Sequence, residues 1–148
     1  MNRTNISVKK LDKAAVMPKY GSDYAAGADL FALLDKETVI LPHQTAFIHT
    51  GIAIEIPAGL VGLIYARSGL ACKSGVAPAN KVGVIDSDYR GEIMVALHNH
   101  SESAFTVAPG ERIAQIVFTP YFTASFTETD ELSDTVRGEG GFGSTGKL

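Results

Sequence analysis

Apolar side chains fall at every second position through three stretches of this chain: GIAIEI at 51 to 56, VGLIYA at 61 to 66 and EIMVALH at 92 to 98. A period of two belongs to extended backbone, where successive side chains point to opposite faces. Ile52, Ile54 and Ile56 therefore share a face, as do Val61, Leu63 and Tyr65, and Ile93, Val95 and Leu97. Further short strands are expected at 29 to 33, 37 to 40, 45 to 50, 81 to 85, 104 to 107 and 112 to 118, separated by Gly, Pro, Asn, Asp or Ser. The only helix signal is RSGLACKSG, from a Ser68 N-cap to a stop at Gly75; it is at most about two turns long. Many short strands without a long amphipathic helix imply an all-β fold, a closed or double-sheet antiparallel architecture.

A chain of 148 residues with 45% hydrophobic side chains buries one substantial core and has no room for two ordinary domains. Repeats of the solenoid or propeller kind are absent. Residues 1 to 122 read as the core, whereas 123 to 148, TASFTETDELSDTVRGEGGFGSTGKL, are polar, glycine-dense and without strand period. On composition alone that stretch reads as a disordered tail. The formal net charge of −3 argues against wrapping a nucleic acid, which needs a concentrated basic surface. Cys72 is the single cysteine, so an intrachain disulfide and a four-cysteine zinc site are excluded, and a reducing interior suits it. With neither a signal-peptide pattern nor an apolar run of about 18 residues, a soluble cytoplasmic protein with no membrane partner is expected.

Several residues could carry chemistry, each with a bland reading beside it. GFGSTGK at 141 to 147 satisfies part of the phosphate-loop pattern, but Leu148 stands where Ser or Thr should follow and no helix comes after it. Its glycines still let backbone N–H groups approach an anion, and Ser144, Thr145 and Arg137 are donors to phosphate oxygens. In VIDSDYRGE a hydrophobic strand runs into Asp86 and Asp88, followed by Tyr89. This is either a polar turn or a carboxylate placed to orient water beside an aromatic pocket wall. Arg67 and Ser68 end an apolar strand where a guanidinium, a hydroxyl and helical amides could meet one phosphate. Arg112 and Gln115 interrupt the apolar strand in PGERIAQIVF, where Gln115 calls for a definite hydrogen-bond partner. His98 and His100 share a strand face, but with no third ligand nearby an exposed strand end is preferred to a metal site. Cys72 reads as a small packed side chain, since no base accompanies it.

In order along the chain, AGADL at 26 to 30, ARSGL at 66 to 70, GVIDSDYRGEI at 83 to 93, GERIAQIVF at 110 to 118 and RGEGGFGSTG at 137 to 146 resemble the five motifs of the trimeric dUTPases. The third and fifth are long and specific; the second has Ala66 where many members carry Pro, a backbone difference. The resemblance implies a distorted jelly roll (β-clip-like) with one short helix and a flexible glycine-rich C-terminal arm. It also implies a homotrimer whose three chains share each site. The activity implied is hydrolysis of dUTP to dUMP and pyrophosphate, limiting uracil incorporation into DNA and supplying dUMP for thymidylate synthesis.

By the same resemblance Asp86 orients the water that attacks the α-phosphorus, and Tyr89 packs under the deoxyribose, leaving no room for a 2′-hydroxyl. Asn80 and the backbone of Gly83, Val84 and Ile85 read the uracil edge. Arg67, Ser68, Gly69 and Gln115 bind the phosphate chain, while Asp29 holds Mg2+ through its water shell. In the arm, Arg137, Gly143, Ser144 and Thr145 match contacts to the outer phosphates and Phe142 matches a ring stacked on uracil, which turns the tail into a lid. Two alternatives stand beside this reading. A dCTP deaminase of the same superfamily would need a catalytic Glu where this chain has Ala96, and a non-catalytic nucleotide-binding module would need neither Asp86 nor a closing arm.

Overall fold

A computed structural model of the protein describes residues 4–141. Its elements run β1 (Ser7–Lys10), β2 (Lys19–Tyr20), β3 (Ala28–Phe31), β4 (Thr38–Ile40), β5 (Thr45–Glu55), β6 (Leu60–Tyr65), α1 (Ser68–Ser74), β7 (Val76–Pro78), β8 (Gly83–Ile85), β9 (Glu92–Asn99), β10 (Phe105–Val107) and β11 (Arg112–Pro120). All strand pairs are antiparallel. They form a sheet ordered β1-β5-β9-β7, a larger one ordered β2-β3-β11-β6-β8 and a small β10-β4 ribbon, the layers of a distorted jelly roll.

The alternation read from the sequence becomes the core. Ile52, Ile54, Ile56, Ile93, Val95 and Leu97 are each at most 2% exposed. Burying each such side chain contributes about 1.5–3 kcal/mol. In β6 the inward set is Gly62 and Ile64, so Val61, Leu63 and Tyr65 share the outer, less buried face. The stretches 45 to 50 and 51 to 56 are not two strands. They belong to one long strand, β5, whose register against β9 shifts between His49 and Ala53. Gly51 sits in that bulge at φ +67°, a conformation costly for residues with a Cβ.

The helix expectation holds in extent and needs correction in its details. Arg67, not Ser68, is the N-cap, and it has extended backbone angles and no side-chain capping bond. Ser68 is the first helical residue, and Gly75 closes the helix in the left-handed conformation at φ 67°. Only Leu70 of α1 is buried, so Cys72, two positions on and roughly on the opposite side of a 3.6-residue turn, is exposed rather than packed. Strands β1, β2 and β7 were not expected from the sequence. From Tyr121 to Gly141 the chain carries neither helix nor strand.

Asn99, fully buried at the end of β9, supplies a polar knot. Its Nδ2 donates to the carbonyls of Ile40 (3.0 Å) and Ser103 (2.7 Å), and its Oδ1 accepts from the amide and hydroxyl of Ser101. Every hydrogen-bonding position of that amide is thereby filled.

Candidate active site

Two depressions gather most of the residues singled out in the sequence. The first, about 300 Å³, is lined by Gly21, Ala25, Gly27, Asp29, Arg67, Ser68, Gly69, Arg112 and Gln115. Register explains the convergence: β11 pairs Gln115 with Asp29 of β3 on one side and with Tyr65 of β6 on the other, so three distant segments meet. Asp29 lies between two guanidinium groups, 2.8 Å from Arg67 Nε and 3.3 Å from Arg112 Nη1. Two guanidinium groups against one carboxylate leave a positive excess with free N–H donors, a composition suited to an oxyanion. Gln115 Nε2 donates to the Ala66 carbonyl at 2.9 Å, the definite partner its apolar neighbours demanded. A Cβ at Gly27 would stand 2.3 Å from Gln115 Oε1, so the AGADL glycine is what lets the amide lie flat there.

The second depression, about 260 Å³, is lined by Phe47, Asn80, Val84, Ile85, Asp86, Tyr89, Glu92, Met94 and Ala96. Its floor is the outward face of β5 and β9, where Phe47 opposes Ala96 and His49 opposes Met94. The wall is the β7–β8 connection and the loop that follows it, carrying Asn80, Val84, Ile85, Asp86 and Tyr89. Gly83 is buried behind it, where a Cβ would come within 3.2 Å of Ile64. Asp86 is exposed at the end of β8, free to meet a solvent molecule. The Tyr89 ring lies over Gly91, and its hydroxyl donates to the Glu92 carbonyl at 3.0 Å. Ala96 offers this space only a methyl group, so the acid a deaminase needs is missing from the position matched to it.

Glu92 is the second carboxylate here. Its Oε2 accepts from His49 Nδ1 at 2.8 Å, and its Oε1 accepts from the Gly51 amide at 2.8 Å. Burial works against the charged form, yet the His49 bond and charge and the Gly51 amide outweigh it, and its pKa lies below the usual glutamate range.

No residue is common to the two depressions. Arg137 lies apart from both, exposed, in a turn closed by its Nε–Gly140 carbonyl bond of 2.8 Å. Phe142, Gly143, Ser144 and Thr145 lie outside the described residues. Along the exposed segment before them, Phe122, Phe126 and Leu132 are 100%, 95% and 88% exposed, with nothing among the described residues covering them.

His98 and His100 form an edge-to-face pair 4.4 Å apart, with His98 Nδ1 bonded to the Thr45 hydroxyl at 2.8 Å. Lost hydration, then the charges of Lys81, His98 and His43, lower the His100 pKa. No group of three or more His, Cys, Asp or Glu suited to a metal occurs among the described residues. No helix among them is long and apolar enough to cross a membrane.

Sequence reasoning missed Glu92, Phe47 and Met94 as site residues. For the last two the available signal was an apolar side chain on the outward face of a strand, 69% exposed at Phe47 and 43% at Met94.

Comparison with known proteins agrees with this geometry. The deoxyuridine 5'-triphosphate nucleotidohydrolase of Desulfitobacterium hafniense (strain DSM 10664 / DCB-2) is 53% identical over 145 residues, covering 97% of this chain and 96% of that protein. The Staphylococcus bacteriophage 80alpha dUTPase with dUPNHPP superposes with a TM-score of 0.89 at 31% identity, covering 97% of this chain and 99% of that one. A mutant dUTPase from phage phi11 of S. aureus, which coordinates a structural Mg(II) ion, shares the fold at a TM-score of 0.79 and 24% identity, with 88% of this chain and all of that one covered. The dUTPase family model matches residues 13–146, nearly the whole length, and the chain belongs to that family.

Proposed function

We propose that this dUTP diphosphatase cleaves dUTP between the α- and β-phosphates, with Asp86 orienting the attacking water toward the α-phosphorus. Supporting this is the division of labour between the two depressions: one pairs an aromatic ring and the backbone of β8 with an exposed carboxylate, the other holds the guanidinium groups. In the first of these roles Tyr89 packs under the deoxyribose, and Asn80 with the backbone of Gly83, Val84 and Ile85 reads uracil. In the second, Arg67, Ser68, Gly69 and Gln115 hold the phosphate chain. Removal of dUTP keeps uracil out of DNA, and the dUMP formed supplies thymidylate synthesis.

Mg2+ fits this arrangement only at arm's length. Among the described residues Asp29 is the sole carboxylate in the phosphate depression, and each of its oxygens already accepts one guanidinium bond. A carboxylate has about four lone-pair sites, which leaves room to accept from a hydrated cation carried on the substrate's phosphates. Such a cation supplies charge neutralisation to the triphosphate. Asp29 would hold its water shell, while Arg67 keeps that carboxylate in place.

The same division supports a homotrimer. One substrate needs Asp86 and the phosphate donors together, and within one chain they line separate depressions. A second copy supplies the missing half, and the arm, residues 123 to 148, reaches a third. Its bare Phe126 and Leu132, with Phe122 just before them, are surfaces awaiting such cover. Arg137, Phe142, Gly143, Ser144 and Thr145 then complete the cage as a lid over the bound nucleotide.

Pyrophosphate release from dUTP, compared with dCTP, dTTP and UTP with and without EDTA, tests the reading. Release from dTTP should be about 10- to 200-fold slower, the discrimination one misfit methyl gives. Chelation should abolish it and Mg2+ restore it. Equal release from all four nucleotides would remove the uracil-reading role of Asn80 and β8.

A further inference from the structure

Tyr89 occupies a loop held mainly by its own short-range bonds: the Tyr89 amide to the Asp86 carbonyl at 3.2 Å, and Arg90 Nη1 to the Ser87 and Tyr89 carbonyls at 2.6 and 3.0 Å. Such a loop does not fix its own position relative to the sheet. Its Arg90–Glu55 ion pair, 3.6 Å long between two largely exposed side chains, adds little. The Tyr89 ring is tied to the fold at Glu92, the first residue of β9, which also pairs with Ala53 of β5. The Tyr89 hydroxyl donates to the Glu92 carbonyl, and the Glu92 carboxylate grips the β5 bulge through His49 and Gly51. Next to it the Thr50 hydroxyl donates to the Ile93 carbonyl.

The bulge is a firm seat. A Cβ at Gly51 would come within 2.5 Å of Leu33 Cδ2 and 2.8 Å of Ala15 Cβ, so the backbone there rests directly on packed side chains. The Leu11 amide also donates to the Gly51 carbonyl at 2.7 Å. A continuous series of contacts thus runs from core to bulge, from bulge to the Glu92 carboxylate, and from the Glu92 carbonyl to the Tyr89 ring.

We propose that Glu92 is a positioning residue: held by His49 and the Gly51 amide, it fixes the Tyr89 ring at the height that separates deoxyribose from ribose. The inference rests on the proposed role of Tyr89 under the sugar. Glu92 does not touch the reacting atoms; it acts through Tyr89. With both carboxylate oxygens bonded and its pKa lowered, Glu92 stays ionised and anchored at neutral pH. His49 faces Glu92 from β5.

The test is the ratio of kcat/KM for dUTP to that for UTP, in which the fraction of active enzyme cancels. Glu92→Ala should lower this ratio by about tenfold, the scale of one lost hydrogen bond to a charged group. Glu92→Gln, whose amide can still accept from Gly51 and pair with His49, should restore most of it. His49→Ala, a change at a half-exposed side chain, should lower it by about threefold. That variant carries the test if Glu92→Ala does not fold. Tyr89→Leu is measured alongside. If Tyr89→Leu lowers the ratio while the Glu92 and His49 variants keep the wild-type value, the positioning role is overturned and the sugar-selecting role stands. If Tyr89→Leu leaves the ratio unchanged, both fall.

Discussion

Asp86 stands at the end of β8 with no side-chain hydrogen bond to it among the described residues, whereas Asp29 and Glu92 are each held by two partners. That contrast fits the role proposed for Asp86, a carboxylate left free to receive a proton. Asp86→Asn keeps the size of the group and removes its basicity. The expected result is an unchanged fold and nucleotide affinity with turnover lower by about two to four orders of magnitude, the share of a positioned base. Single-turnover rates beside equilibrium binding of a non-hydrolysable dUTP analogue check it; turnover within a factor of two of wild type would remove Asp86 from the chemistry.

At the scale of elements, what the sequence discloses depends on how local the physics is. Strands β5, β6 and β9 carry alternating apolar runs and β11 an apolar run broken by Gln115, and their existence follows from pattern alone. β1 and β2 have no such run, being SVKK and KY, and β7 is three residues ending in Pro78; partners, not propensity, make them strands. The Gly51 bulge, and with it the His49–Glu92 contact, depends on residues 43 positions apart, which no local window contains. Asp86, Tyr89, Arg67 and Gln115 were recognisable because they lie inside contiguous motifs, and Phe47 and Met94 were not, because nothing in their neighbourhood marks them. The buried Asn99 illustrates the same limit, since only the folded chain reveals that its amide ties β9 to β4 and to the 101–103 turn. Asn99→Leu should take from the buried Ile40 carbonyl its side-chain donor, while the Ser103 carbonyl keeps the Ser101 hydroxyl, and it should destabilise the fold by about 1–3 kcal/mol. A urea melt with a midpoint equal to wild type would show that water replaces the side chain there.

For the whole molecule, the proposal at stake is that Asp86 and the arm serving one substrate come from different subunits. Asp86→Asn protein and protein lacking residues 137 to 148 should each be nearly inactive while folded. Unfolded together and refolded, they should regain activity if the protein assembles as the proposed trimer. Any site then needs its Asp86 from a truncated chain and its arm from a substituted one, and with equal amounts about a quarter of sites meet both conditions if the elements come from different subunits. Continued inactivity, with mixed trimers confirmed by mass, would refute the shared architecture and leave the hydrolase assignment in place.

That division also has a genetic consequence. When Asp86 and the arm of one site are encoded once but delivered by different copies, two defective alleles in the same cell can rescue each other, provided their lesions fall in different parts. Two lesions in the same part cannot. Pairwise crosses among loss-of-function alleles would then sort them into groups that follow the subunit boundary through the site, and the boundary becomes readable from growth alone.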